Sequence, residues 1–210
     1  MSSPRKAENL DSVYGASSPQ DVARRYDEWA ETYDAEMASL GYRHPTICLA
    51  LLCRHLQPGA GPILDAGCGT GLIGEWLKIV GYSPAEALDL SQGMLDVARR
   101  KGVYDALHQA ALGQELPLPS NHFAGVVCAG VFTVGHVGPE GLDELLRVVR
   151  PGGVIVITVK DRLWEDGFQA RVAELAAKSA FDVLEETPSY ISMPGRADTV
   201  PSRALALRIG

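Results

Sequence analysis

The residues whose types and spacing point to chemistry gather in one stretch. Residues 63–71 read Ile-Leu-Asp-Ala-Gly-Cys-Gly-Thr-Gly, two apolar residues running into an acid, Asp65, with Gly67, Gly69 and Gly71 at alternate positions behind it. The apolar pair predicts a buried strand. The glycines predict a turn where the backbone comes very close to a ligand, because glycine tolerates positive φ and has no side chain to hold the ligand off. A helix predicted from Leu72 to Val80, stopped by Gly81, would aim its unpaired N–H groups and positive dipole end at the same point. An acid beside such a turn suits a ligand that carries both an ammonium and a carboxylate.

Further residues extend the pattern. Asp89 ends a second predicted strand, Ala85–Leu88, where a carboxylate can accept both hydroxyls of a ribose. Met94, one turn into the next helix, can pack on a purine ring. Leu112-Gly113, past a third strand, offers a backbone N–H to a purine edge, and Gly130 and Val131 end a fourth. S-adenosylmethionine (SAM) has all the parts these residues would meet. Each has a plain structural reading as well. Glycine turns occur at ordinary strand–helix corners, Asp89 can help to cap the helix after Ser91, and Met94 can be core. The order and spacing of the set favour one adenosyl ligand. The competing ligand is a dinucleotide, since Gly69-x-Gly71-x-x-Gly74 formally matches that fingerprint with Asp89 downstream. That reading leaves Asp65 and Gly67 inside the strand, an acid beside a pyrophosphate, and it lacks a second mononucleotide-like fingerprint.

The elements that must position these residues alternate in type. Ser18-Pro19-Gln20-Asp21 is a helix start, with Ser18 as N-cap and Pro19 at the first helical position. That helix is predicted to carry Val22, Tyr26, Trp29, Ala30 and Tyr33 on one face. A second helix is predicted over Pro45–His55, broken by the Pro/Gly segment 57–62, and another over 91–101, stopped at Gly102. Tyr104–Ala110, Phe123–Ala129 and Val154–Val159 read as strands, and Pro139–Val149 and Gly167–Ser179 as helices. Phe181–Glu186 and Arg203–Ile209 are extended with no helix between them, which predicts an antiparallel, hairpin-like edge. Apolar strands alternating with helices predict an α/β fold, a seven-stranded, mostly parallel sheet with helices on both faces and an antiparallel last strand.

Bulk composition narrows the function classes. A chain of 210 residues predicts a single domain, read as residues 19–210 behind a loose tail at 1–18. A net charge of −7 argues against a broad grip on nucleic acid. Arg99, Arg100 and Lys101 form a local basic trio, read as a solvated helix end favoured by the helix dipole. Cys48, Cys53, Cys68 and Cys128 form no C-x-x-C pair and read as reduced core thiols in a cytoplasmic protein. The longest apolar run, Ile47–Cys53, is far too short to span a bilayer, and no metal-ligand spacing is present.

Ile63–Gly71 resembles the first motif of the class I SAM-dependent methyltransferases. Ala87-Leu-Asp-Leu-Ser-Gln-Gly-Met-Leu95 resembles their second-strand motif, and Glu115-Leu-Pro-Leu-Pro119 with Phe123 the segment before strand four. Leu146-Arg-Val-Val-Arg-Pro-Gly-Gly153 resembles the turn into strand five, and Tyr26-Asp-Glu-Trp-Ala-Glu-Thr-Tyr-Asp34 the N-terminal helix over the cofactor. The resemblance runs from about Asp21 to Gly210; the Tyr-Asp-x-Trp-Ala helix and Leu112-Gly-Gln-Glu115 are closest to a methyltransferase-like branch with a type 11/25 domain. It implies a Rossmann-like fold with N-terminal helices over the site. It implies that Asp65 and Gly67 hold the methionine amino group, that Gly69 and Gly71 line the turn beside it, that Ala66 also belongs to the cofactor-binding set, and that Asp89 takes the ribose. Leu90 and Met94 would pack near adenine and Tyr33 over the methionyl end, and Leu112, Gly113, Gly130 and Val131 would complete the cofactor-binding set. Two departures stand out. Leu112 replaces an acid that reaches the adenine amino group in many relatives, and Phe123-Ala124 replaces a frequent Phe-Asp, with only a structural effect expected.

Methyl transfer from a sulfonium is an in-line displacement, so positioning supplies most of the acceleration. A general base is needed only where the acceptor is protonated at neutral pH. His136, in Val131-Phe-Thr-Val-Gly-His136, is the candidate; its plain reading is a residue preceding the helix at Pro139. His44, Asp161 and Trp164 are further candidates for an acceptor pocket. The product would be S-adenosylhomocysteine. The short segments outside the core favour a small-molecule acceptor, with a protein acceptor or non-catalytic SAM binding as alternatives.

Overall fold

The computed structural model describes residues 8–133 and 135–210. Four helices come first, α1 (Glu8–Tyr14), α2 (Pro19–Trp29), α3 (Tyr33–Leu40) and α4 (His44–His55). The alternating part follows as β1 (Ile63–Ala66), α5 (Gly74–Ile79), β2 (Ala85–Asp89), α6 (Gln92–Lys101), β3 (Ala106–Gln109), β4 (Phe123–Phe132), α7 (Gly141–Val148) and β5 (Val149–Lys160). A short turn of helix, α8 (Asp161–Leu163), leads through a kink at Trp164–Phe168 into α9 (Gln169–Ala177), and β6 (Phe181–Glu186) and β7 (Ser202–Ile209) complete the sheet.

The strand order is β3-β2-β1-β4-β5-β7-β6, with β7 antiparallel to both neighbours and the first five strands parallel. Side chains alternate across the pleat into two cores. Val126, Cys128, Ile155, Ile157, Leu205 and Leu207 pack on α7 and α9. Val127, Val154, Val156, Ala204 and Ala206 face α4 and α5. Burial on both faces is why these strands read as continuous apolar runs.

The last two strands pair antiparallel at one edge as expected, with β7 lying between β5 and β6, where Ala204–Leu207 is apolar on both faces and fully buried. Other expectations are corrected. The helix expected to run from Val22 through Tyr33 ends at Trp29 and restarts at Tyr33 after a turn closed by Thr32 N–H on Trp29 O (3.1 Å). Residues 1–7 of the expected tail lie outside the described residues. Glu8–Tyr14 is helical, and Leu10 and Val13, on one face, are buried in a cluster with Trp29, Met37 and Leu40. Cys53 is exposed, unlike the other three free thiols.

Candidate active site

A cavity of about 390 Å³ opens at the carboxyl ends of β1, β2 and β4, the point where the chain leaves β1 for neighbours on opposite sides. It falls within the roughly 300–1,000 Å³ usual for small-molecule sites. Gly67, Gly69, Asp89, Leu90 and Met94 line it from β1, β2 and α6, and Leu112, Gly130 and Val131 from the ends of β3 and β4. Tyr33 and His136 line it as well. Ten of the fourteen residues singled out from the sequence therefore meet at one surface.

Among the described residues, Asp89 is the one carboxylate on that surface. The N–H of Gly69 donates to its Oδ2 (2.8 Å) and that of Ser91 to its Oδ1 (2.9 Å). Burial pushes its pKa up, and these backbone bonds hold it down in part. Each oxygen keeps a lone pair for a further donor. Capping of α6 falls to Ser91, whose Oγ accepts the Met94 N–H (3.1 Å), so the capping role considered for Asp89 belongs to its neighbour.

The other four predicted residues sit one layer away. Ala66 is in the core under α7, Gly113 lies beside Glu140, and Gly71 packs against the ring of Tyr104. Asp65 is 2 % exposed and lies off the cavity wall. Its Oδ2 accepts the Tyr104 O–H at 2.5 Å. Burial pushes its pKa up to about 7, with the Tyr104 bond opposing and the nearby Asp89 adding to the rise. In this structure Asp65 forms a buried pair with Tyr104 beneath the glycine turn.

Two glycines are dictated by space as well as by φ. A Cβ on Gly67 (φ 76°) would lie 2.3 Å from Val131 Cγ2, and one on Gly130 (φ 80°) would lie 2.1 Å from the Tyr42 hydroxyl. Gly67→Ala is expected to destabilise the fold by about 1–3 kcal/mol in a thermal or urea melt, the sum of left-handed backbone strain and overpacking. A melt unchanged from wild type would contradict this geometry.

Sequence reasoning missed the rest of the aromatic roof. Tyr26 and Tyr42 line the cavity with Tyr33, and burial raises the pKa of all three hydroxyls. Tyr26 carried a signal, being on the apolar face of α2. Tyr42, in the loop after α3, carried none. The roof is held by acids. Asp27 accepts the Ser91 hydroxyl (2.5 Å) and the Gly93 N–H (2.8 Å) at the start of α6. Asp34 accepts the Thr70 hydroxyl in the glycine turn and pairs with Lys101 (2.7 Å). Arg100 pairs with Glu31 (2.6 Å). Two of the basic trio read as a solvated helix end are therefore clamps between α6 and the roof.

His136 meets the rings of Tyr14 and Tyr26 edge to face, with centroids 5.7 and 6.1 Å away. The other acceptor-pocket candidates do not line this cavity. His44 is buried against the Tyr190 hydroxyl (2.7 Å), and burial pulls its pKa down to about 3. Asp161 is engaged by Arg203 (3.0 Å) and Ser189 (2.5 Å), and Trp164 is buried under the Arg203 guanidinium (4.7 Å).

With this geometry in hand, the comparisons with known proteins agree on one family. Residues 64–157 match the methyltransferase domain family. The chain is 36% identical over 154 residues to methyltransferase-like protein 27 of Homo sapiens, covering 70% of this chain and 62% of that one. It is 36% identical over 149 residues to the demethylmenaquinone methyltransferase of Clavibacter sepedonicus, covering 68% and 59%. The chain thus spans about three fifths of the length of these relatives. Among solved structures, it is similar to a TehB-like SAM-dependent methyltransferase from Corynebacterium glutamicum (TM-score 0.64, 21% identity, 89% and 99% coverage). It is also similar to the (4+2)-cyclase SpnF (TM-score 0.69, 17% identity, 93% and 98% coverage). Those two likenesses concern the fold, and the cyclase illustrates that one fold hosts more than one chemistry.

Proposed function

This chain belongs to the class I SAM-dependent methyltransferase family, and we propose that it moves a methyl group from SAM to a nucleophilic atom of a small-molecule acceptor, leaving S-adenosylhomocysteine. The observation that carries the reading is Asp89, a half-buried carboxylate on the cavity wall between the glycine turn and the start of α6.

The residues present fit the cofactor. Asp89 keeps lone pairs for the two ribose hydroxyls, Leu90, Met94 and Leu112 give apolar surface for adenine, and Gly67 and Gly130 leave room where any Cβ would clash. Bound SAM supplies an electrophilic methyl on a sulfonium. The chain's part is to orient and to exclude water, and Tyr26, Tyr33 and Tyr42 close the cavity from above. His136, the histidine on the cavity wall, is placed to accept a proton from an acceptor that needs one removed. Asp65 acts from beneath by fixing the turn through Tyr104.

A small acceptor is supported by the roofed cavity and by relatives named for demethylmenaquinone and for a dTDP-amino sugar. The net charge of −7 argues against nucleic acid. Among the described residues no helix is long and apolar enough to cross a membrane. Three buried free thiols support a reducing, cytoplasmic setting, and residues 19–210 are read as one domain.

Calorimetry with SAM, S-adenosylhomocysteine and NAD tests the proposal. SAM and its product are expected to bind with micromolar or better affinity, and NAD not at all. Incubation with methyl-labelled SAM and fractionated cell extract should then place label in the small-molecule fraction. Binding of NAD in place of SAM would refute the cofactor, label only in protein would refute the acceptor class, and tight SAM binding with no label anywhere would point to a non-catalytic protein.

A further inference from the structure

A second cavity, of about 270 Å³, lies beside the first, and its lining includes Tyr14, Thr133, Lys160, Arg162, Arg196 and Asp198. The two cavities share a wall. Thr133 directly follows β4, whose Gly130 and Val131 line the first cavity, and Tyr14 is the ring that meets His136 edge-on.

The charges around this recess do not balance. Arg196 is matched by Asp11 (2.7 Å) and Asp198 (2.6 Å). Lys160, at the end of β5, is only 8 % exposed, and its Nζ donates to neutral partners, Val200 O (2.9 Å) and Ser192 Oγ (3.3 Å). The adjacent Asp161 is turned to Arg203 and Ser189 instead. Arg162 has no ion pair or hydrogen bond among the described residues. A buried ammonium with no ion pair is costly. Here burial first, then the neighbouring Arg196, pull Lys160 down to about 8, with the adjacent Asp161 opposing in part. Three cations and one acid, Asp198, face this recess, and Asp198 is taken up by Arg196, so Lys160 and Arg162 are left without an ion pair among the described residues and describe a place for an anion from outside.

We propose that this recess is the subsite for an anionic group, a carboxylate or a phosphate, carried by the methyl acceptor. Lys160 meets it as a buried point charge and Arg162 as a two-pronged donor at the mouth. The recess has room for a headgroup, so the rest of the acceptor extends past Tyr14 toward His136 and the cofactor cavity. The inference rests on the methyltransferase reading and deepens it to a substrate class, small organic acids or phosphate esters.

The test uses the full chain with saturating S-adenosylhomocysteine, titrated by calorimetry or by NMR with malonate and, separately, with inorganic phosphate. At least one anion is expected to bind below about 10 mM, and Lys160→Met to weaken it roughly tenfold or more. Arg162→Gln, at an exposed position with no structural partner, is expected to weaken it several-fold. SAM affinity should be unchanged in both variants. Preference for malonate identifies a carboxylate acceptor, and preference for phosphate a phosphorylated one. Absence of binding by either anion, or equal binding in wild type and Arg162→Gln, overturns the subsite even if Lys160→Met fails to fold. Should SAM itself not bind, the methyltransferase reading falls while the anion titration still reports on the recess.

Discussion

Asp89→Ala is expected to weaken SAM binding by a hundredfold or more while leaving a folded chain. Two ribose hydroxyls on one carboxylate make two charge-assisted hydrogen bonds, each contributing about 1.5–3 kcal/mol, so their joint loss spans roughly two to four decades in affinity. A second effect works in the same direction. The Gly69 and Ser91 N–H groups lose their acceptor, which loosens the glycine turn and the start of α6 together. Asp89→Asn separates the two contributions, since the amide oxygen keeps one acceptor but loses the charge. Its affinity should fall between those of wild type and the alanine variant. Calorimetry at pH 7.5, with circular dichroism as the control for folding, gives the answer. An alanine variant that binds SAM as wild type does would refute the assignment of the ribose to this carboxylate.

The cavity at the strand ends was legible because its parts are local. A glycine turn after an apolar strand, and an acid at the end of the next strand, are sequence features that backbone geometry converts directly into position. Gly67, Gly69, Asp89 and Met94 meet as their spacing implied. What the sequence left dark depends on contacts between distant segments. Tyr42 reaches the space over Gly130, and Tyr104 reaches beneath the turn to Asp65, with nothing in their own neighbourhoods to announce it. Arg100 and Lys101 looked like a solvated helix end because their partners, Glu31 and Asp34, lie in another helix pair. The place of β7 was ambiguous for the same reason. Its apolar Ala204–Leu207 run predicts a strand, but only burial on both faces shows that it lies inside the sheet. Lys160 carried no signal at all, since the feature that singles it out is that its ammonium bonds to neutral partners in space and forms no ion pair among the described residues.

Asp65→Asn is expected to stabilise the ligand-free protein at alkaline pH while leaving it nearly unchanged in acid. The carboxyl is 2 % exposed, and its pKa is pushed up from an ordinary 3.8 to about 7, chiefly by burial. The folded state therefore holds this proton more tightly than the unfolded state does. Below about pH 4 both states are protonated and the group favours folding in full; as pH rises toward 7 the unfolded state releases its proton first, and the advantage is lost. Above pH 7 the charged carboxylate works against the fold by up to about 4 kcal/mol, with Tyr104 supplying the hydrogen bond that limits the damage. The amide of asparagine accepts the same Tyr104 hydroxyl and never charges. Urea melts of the two proteins should accordingly coincide near pH 4 and diverge by about 1–4 kcal/mol at pH 8, in favour of the variant. Parallel stability curves across that range would contradict the buried, up-shifted acid. The functional consequence has the opposite sign. A ligand bearing an ammonium and a sulfonium offsets the charge of Asp65 and of Asp89 together, so removing one of them should weaken SAM binding in the same buffer in which it stabilises the free chain. An acid retained beside the glycine turn at that energetic disadvantage, with a second carboxylate on the adjoining cavity wall, is what a site for a cationic ligand requires.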